Sequence, residues 1–238
     1  MIDEEIKEQT DKLKEMDLKH KISYIWDYYK LPIIIAIIFI FSVSSFIYNR
    51  VTAKQTVFYV AMLNANTSSV SENNLLTGFA DTIEGFDADH EQIRIDADYK
   101  IQGTDQMAYA YMQKILTEYN VGTIDASIGP KEVIEQFAAS QAFTDLNKLL
   151  PVSLYDALNK AGWEFLYCTY EDPATGKVYE YPAAVNISSS PAITEGFNDI
   201  EGKHYPYFNT DCYYAISSNA SHTDTAIAFL EYLLSHKL

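Results

Sequence analysis

Leu31 to Tyr48, LPIIIAIIFIFSVSSFIY, runs eighteen residues without one charged side chain. As a helix it reaches about 27 Å at 1.5 Å per residue, close to the roughly 30 Å hydrocarbon core of a bilayer. A helix packed at the surface of a soluble core would carry a polar face, and the polar residues here are Ser42, Ser44 and Ser45 alone. Trp26, Tyr28 and Tyr29 precede the run and Tyr48 closes it, the positions of an interfacial aromatic belt. No small-residue cleavage pattern follows at Asn49-Arg50-Val51, and the stretch before the run is long for a signal peptide, so the run reads as an uncleaved signal anchor.

Lysines 12, 14, 19, 21 and 30 lie close on its N-terminal side, against Arg50 and Lys54 on the other. The positive-inside rule then expects residues 1–30 in the cytoplasm and the rest of the chain outside the cell membrane. The expected organisation is a cytoplasmic amphipathic segment over 1–30, a transmembrane helix over 31–48, a linker over 49–55 and an extracytoplasmic domain over 56–238. Ile6, Leu13, Met16, Ile22, Ile25 and Trp26 recur near helical spacing in the first segment, which suits the membrane surface. Pro32 predicts a break or kink near Lys30.

The formal charge of the chain is −16, and it falls almost wholly beyond Thr52. A surface that acidic repels phosphate backbones, so nucleic acid is not an expected partner; it also stands off anionic headgroups, leaving the anchor to engage the bilayer. Strong acidity is also what plain solubility requires. The exported part is long enough for one domain with its own core. Cys168 and Cys212 are the two cysteines. An oxidising compartment permits a bridge between them, and two buried free thiols are the alternative. No Cys/His spacing suggests zinc.

TVFYVAML (56–63) is a near-continuous apolar run of β-formers and predicts a strand buried on both faces. Ser71 is placed to cap a helix reaching Gly85, and Thr104 or Asp105 to cap DQMAYAYMQKILTEYN, which Gly122 stops. HEQIRIDADY predicts a second strand over 92–98, and TIDASIG a third over 123–128, followed by a helix with Pro130 at its first position. This β-α-β-α-β-α order predicts a parallel sheet with right-handed crossovers. WEFLYCTYED and KVYEYPAAV flank PATG and read as a hairpin. DCYYAISS reads as a last strand, and 222–236 as a closing helix with Ala226, Phe229, Leu230 and Leu233 on one face. The fold class is therefore α/β: one doubly wound, three-layer lobe behind an N-terminal transmembrane helix.

Chemistry-bearing motifs are sparse. GxSxG, HExxH and the P-loop are absent, and no histidine sits beside a Ser or Cys nucleophile in the sequence, so no enzyme and no cofactor is expected. Asp87, Asp89, His90, Glu91, Asp96 and Asp98 are carboxylate-dense but lack the EF-hand order, and read as a solvated loop rather than a metal site. In a parallel sheet a ligand binds beyond the carboxyl ends of the strands. There the candidates are Asn64 and Asn66 after the first strand, Tyr99 after the second, Ser127 and Gly129 at the third, and Tyr181 and Ser188 in the 181–190 stretch. Asn64 and Asn66 can donate and accept, as sugar hydroxyls or amides need; each also suits ordinary turn-making.

IDASIGPKEVIEQFAASQAFTDLNKLLP (124–151), Gly176-Lys177-Val178-Tyr179 with Tyr181-Pro182, and Tyr214-Ala215-Ile216-Ser217 with Asp224 to Leu230 resemble, in the same order, segments of the extracellular solute-binding proteins of ABC importers. The resemblance implies a periplasmic-binding-protein-like lobe and a small solute, such as a sugar or peptide, as partner. The chain departs from that family in two ways. The stretch from Pro182 to Tyr214 is too short for a second lobe of ordinary domain length, and a membrane helix stands where the family has a lipid-modified cysteine. Two readings follow. One is a membrane-anchored solute-binding-like module, accessory to an importer or a sensor. The other is a scaffold or protein-interaction domain of a membrane complex that has lost its cleft.

Overall fold

The computed structural model describes residues 17–67, 74–103, 106–172 and 174–235. Residues 3–16 of the amphipathic segment and the expected caps Ser71, Thr104 and Asp105 lie outside them. The chain divides into two compact units, Met1–Ala53 and Lys54–Leu238.

In the first unit α1 (Leu18–Val51) is one continuous helix of 34 residues. Asp17 caps it, its side chain accepting from Leu18 N at 2.8 Å. The break expected at Pro32 does not occur: Pro32 sits inside the helix. Its fixed φ is itself helical, so the helix continues through it at the loss of one backbone hydrogen bond. Tyr29–Val51 is 23 residues with a mean hydropathy of 2.5 and none of it buried. That is long and apolar enough to cross a membrane, a property that single-pass anchors and signal sequences share.

The second unit is a mixed α/β domain. Its strands are β1 (Gln55–Leu63), β2 (Glu91–Tyr99), β3 (Ala126–Pro130), β4 (Phe165–Glu171), β5 (Val178–Asn186), the short pair β6 (Phe197–Asn198) and β7 (His204–Tyr205), and β8 (Cys212–Ile216). Its helices are α2 (Gln106–Asn120), α3 (Lys131–Ala138), α4 (Leu146–Leu149), α5 (Val152–Lys160), α6 (Pro191–Thr194) and α7 (Thr223–Leu234). Six strands form one sheet in the order β2-β1-β3-β8-β5-β4. β2, β1 and β3 are parallel, as expected. β8, β5 and β4 pair antiparallel, so the sheet is mixed rather than parallel. For β4 and β5 the cause is connection length: residues 172–177 join them directly, and so short a connection can only return the chain antiparallel.

β1 is apolar and buried from Phe58 to Leu63 because both of its faces are covered there. Phe58, Val60 and Met62 enter one core with Leu154 and Leu158 of α5 and with Ala226, Phe229, Leu230 and Leu233 of α7. Tyr59, Ala61 and Leu63 enter the other with Ile115 and Tyr119 of α2 and Val133, Ile134 and Phe137 of α3. The helix expected to reach Gly85 stops short of it: the described part is π-helical over Asn74–Gly78 and α-helical at Phe79 and Ala80. Asn74, Thr77 and Gly78 are all poor helix formers, yet Leu75 and Phe79 still reach the core.

The cysteine bridge does not form: both thiols are free and buried. β5 lies between their strands, which sets the backbones about 9–10 Å apart, and Cys168 and Cys212 belong to opposite cores. A bridge needs Cα atoms within about 7 Å and converging Cβ vectors. Burial pushes the Cys168 thiol up to about 11 and the Cys212 thiol up to about 12. Iodoacetamide at neutral pH is therefore expected to modify neither cysteine in the folded protein and both after unfolding. Rapid labelling of the native chain at either site would contradict this burial. The folded state also keeps thiol protons that the unfolded chain sheds near pH 8.5, so their contribution to stability is lost as pH rises from about 9 toward 12.

Candidate functional site

The carboxyl edge of the parallel strands is filled by the chain itself. Asn64 sits at φ 56°, and its side-chain oxygen accepts from Ile101 N at 2.7 Å and Gln102 N at 3.1 Å. Asn66 exchanges reciprocal amide hydrogen bonds with Asn209 and donates to the Pro206 carbonyl, holding the 206–209 segment over the end of β1. The Lys100 ammonium donates to the carbonyls of Ala65 and Thr67, and its partial burial lowers its pKa. A Cβ on Gly129 would lie 3.1 Å from the Leu63 Cβ. β1 and β3 therefore approach too closely there for a ligand to enter between them.

The remaining sequence candidates are dispersed. Tyr99 is buried, its hydroxyl bonded to Tyr59 and Glu118, and burial raises its pKa above the ordinary tyrosine value. Ser127 is buried in β3 with its hydroxyl 2.6 Å from that of Tyr119. Ser188 accepts from Cys212 N at 2.8 Å and donates to the Asn186 side chain. Asn64, Asn66, Gly129 and Ser188 do share the carboxyl edge. Ser127 lies inside the core, and Tyr181, paired with Cys168, faces the opposite end of the sheet.

At that opposite end the sheet opens. β5 pairs with β4 from Val185 back to Val178, but with β8 only at Val185 and Asn186. Where β5 leaves β8, the 142–144 segment takes its place: Phe143 bridges Ser217, and Thr144 N donates to Ile216 O. Between this segment and the diverging half of β5 lies a groove of about 360 Å³, a size that suits a small ligand. Phe143, 3 % exposed, and Tyr181 are its buried aromatic lining. The Tyr181 hydroxyl donates to the Ala138 carbonyl at 3.1 Å, and burial pushes its pKa up to about 12. Tyr170 and Tyr179 stack across the hairpin, 6.1 Å between centroids and 18° between planes. Asp145, Lys148, Glu180, Gln141 and Ser218 complete the lining.

Local sequence places these groups. Val178 to Tyr181 alternates, so Tyr179 and Tyr181 share one face, and the hairpin register sets Tyr170 opposite Tyr179. Asp145 caps α4, accepting from Asn147 N, and meets Lys148 Nζ at 3.0 Å. Gln141 is held at φ 58°, with its carbonyl accepting from the Ser218 hydroxyl at 2.8 Å. A non-glycine residue in that region costs roughly 1–2 kcal/mol, here at the groove mouth. Of these groups only Tyr181 was a sequence candidate. The signal for the others was the i, i+2 tyrosine pair in a hairpin whose turn fixes register.

The groove can hold a ligand by ring faces and hydrogen bonds, and it presents no activated nucleophile. Cys168 behind Tyr181 is held protonated by burial. Elsewhere, Asp125 and His222 meet at 3.1 Å, but no serine or cysteine side chain joins the ring among the described residues. The Asp87–His90 stretch forms a surface turn, with His90 Nδ1 2.8 Å from Asp87 Oδ2. Among the described residues no group of three or more His, Cys, Asp or Glu is placed to hold a metal ion. Compared with protein-family models, with curated proteins and with solved structures, the chain matches none.

Proposed function

We propose that the chain is a membrane-anchored binding module: a solute-binding-like α/β lobe, carried outside the cell by α1, that takes a small ligand in the groove between β5 and the 141–148 segment. The observation that carries this reading is the groove itself, where aromatic faces and unreactive polar groups converge in a cavity of ligand size. The collinear motifs of solute-binding proteins support it. Two of them border the groove: Ala142-Phe143 with Asp145-Leu146, and Tyr179 with Tyr181-Pro182. A single lobe leaves the ligand with one wall, so the expected affinity is weak, about micromolar to millimolar.

The test is a thermal-shift screen of the full chain in detergent against sugars, amino acids and short peptides. At least one class should raise the melting temperature, and Tyr179→Ala should remove that rise while leaving the unliganded melting temperature in place. For the anchor, external protease on intact cells should remove the domain and leave the N-terminal segment protected; a domain that survives until lysis would reverse the orientation.

The second reading, a scaffold or docking domain of a membrane complex, is favoured by Asn66, Tyr99 and Ser127, whose polar side-chain groups bond to partners inside the chain. Failure of every solute to stabilise the unmutated chain would leave this reading in possession.

A further inference from the structure

We propose that the ligand of the groove is an extended peptide segment, added as a strand to the free edge of β5; the inference rests on the reading of the groove as a binding site. The hairpin register carries it. Asp172 N donates to Lys177 O at 2.9 Å. Antiparallel pairs alternate between those that exchange backbone hydrogen bonds and those that do not. Counted from that bond, Tyr170 with Tyr179 and Cys168 with Tyr181 exchange bonds, while Glu171 with Val178, Thr169 with Glu180 and Tyr167 with Pro182 do not. The N–H and C=O groups of Val178 and Glu180, and the C=O of Pro182, therefore point in the plane of the sheet away from β4.

On that side β5 meets β8 only at Val185 and Asn186. Among the described residues no group bonds to the main chain of Val178 or Glu180 there. Glu180 thus lines the groove with its backbone, while its side chain lies on the face of β5 opposite Tyr179 and Tyr181. The open groups recur every second residue, about 7 Å apart, a donor beside an acceptor each time. A free amino acid can meet one such residue; an extended backbone meets both, which is how a peptide adds to a sheet edge. Pro182 has no N–H and ends the row of donors. The charged pair of the lining, Asp145 with Lys148 at 3.0 Å, is already matched, which suits a neutral amide chain. Alternate side chains of the added strand would face the rings of Phe143, Tyr179 and Tyr181, where aromatic and β-branched residues pack well.

Isothermal titration of the full chain in detergent tests this, with the blocked peptide acetyl-Thr-Val-Tyr-Val-Thr-amide as the probe. The same peptide N-methylated at every residue, glucose and free tyrosine are titrated in parallel. The blocked peptide is expected to bind, and its N-methylated form about tenfold more weakly or not at all. Glu180→Pro removes the outward N–H and none of the hairpin's bonds, as Pro182 already does two residues on. It should keep the melting temperature and weaken the peptide about tenfold. Glu180→Gln keeps that N–H and should bind as the unaltered chain does. Tyr179→Ala should weaken the peptide about two- to tenfold. Glucose or tyrosine binding that Tyr179→Ala abolishes, with no peptide binding, would overturn the peptide and leave the groove reading standing. Peptide binding that Tyr179→Ala weakens, but Glu180→Pro and N-methylation do not, would overturn the added strand in the same way. A dimer that Glu180→Pro dissolves, with no peptide binding, would give the edge to a second copy of the chain instead. Peptide binding unmoved by all three changes, or no binding by any probe, would overturn the strand and the groove together. If Glu180→Pro lowers the melting temperature, the N-methylated peptide decides alone.

Discussion

Phe229→Ala should be the most damaging single truncation in the domain, at about 3–5 kcal/mol. Phe229 is fully buried. Its ring lies 4.7 Å from Phe79, 5.3 Å from Phe58 and 5.8 Å from Tyr214, so one side chain on α7 joins β1, β8 and the turn after β1. Truncation removes its transfer free energy and leaves a cavity bounded by two sheet strands that cannot collapse into it. It also deletes the edge-to-face contact with Phe79, worth about 0.5–1.5 kcal/mol. Domains of ordinary stability hold about 5–15 kcal/mol in all, so the variant should sit near its threshold. Chemical denaturation of the full chain, followed by circular dichroism, should show a lowered midpoint at unchanged slope. A loss under about 0.5 kcal/mol would mean that α7 is peripheral to the core.

That α7 is central was legible from Ala226, Phe229, Leu230 and Leu233 at helical spacing. The strands were legible for the same reason: TVFYVAML is apolar at every position after Thr56, and only a strand covered on both faces needs that. The antiparallel half was hidden in a different quantity. Nothing local tells Cys212–Ile216 to lie between β3 and β5; that order is set by which core each face joins, a long-range choice. The candidate site failed to show for a related reason. Asn64 and Asn66 are the residue types a ligand needs, and also those that a left-handed turn and a loop latch need. The competing use is decided by Ile101 and Asn209, which lie 37 and 143 residues away. The groove depends on β5 parting from β8, and a parting of strands has no signature in either strand alone.

Asp125 supplies the second large effect. It is 1 % exposed, and its two carboxylate oxygens have different partners. Oδ2 accepts from Tyr59 N at 2.9 Å, and Oδ1 from His222 N at 2.8 Å. One side chain thus ties β1 to the start of α7. The His222 ring adds a contact at 3.1 Å to Oδ2, but its side chain is 34 % exposed, so solvent screens that pair and little stability is assigned to it. Asp125→Ala should cost about 2–4 kcal/mol, because one buried and one part-buried N–H group lose their carboxylate acceptor at about 1–2 kcal/mol each. Asp125→Asn should cost nearly as much, although it keeps the shape: both oxygens accept from N–H groups, so either amide orientation sets a donor against a donor. His222→Ala keeps the backbone N–H at that position and should cost under about 1 kcal/mol. Denaturation midpoints of the three variants decide the matter. If Asp125→Asn proves harmless while His222→Ala is severe, the ring rather than the backbone donors holds the carboxylate, and the tie between β1 and α7 runs through an ion pair instead of a cap.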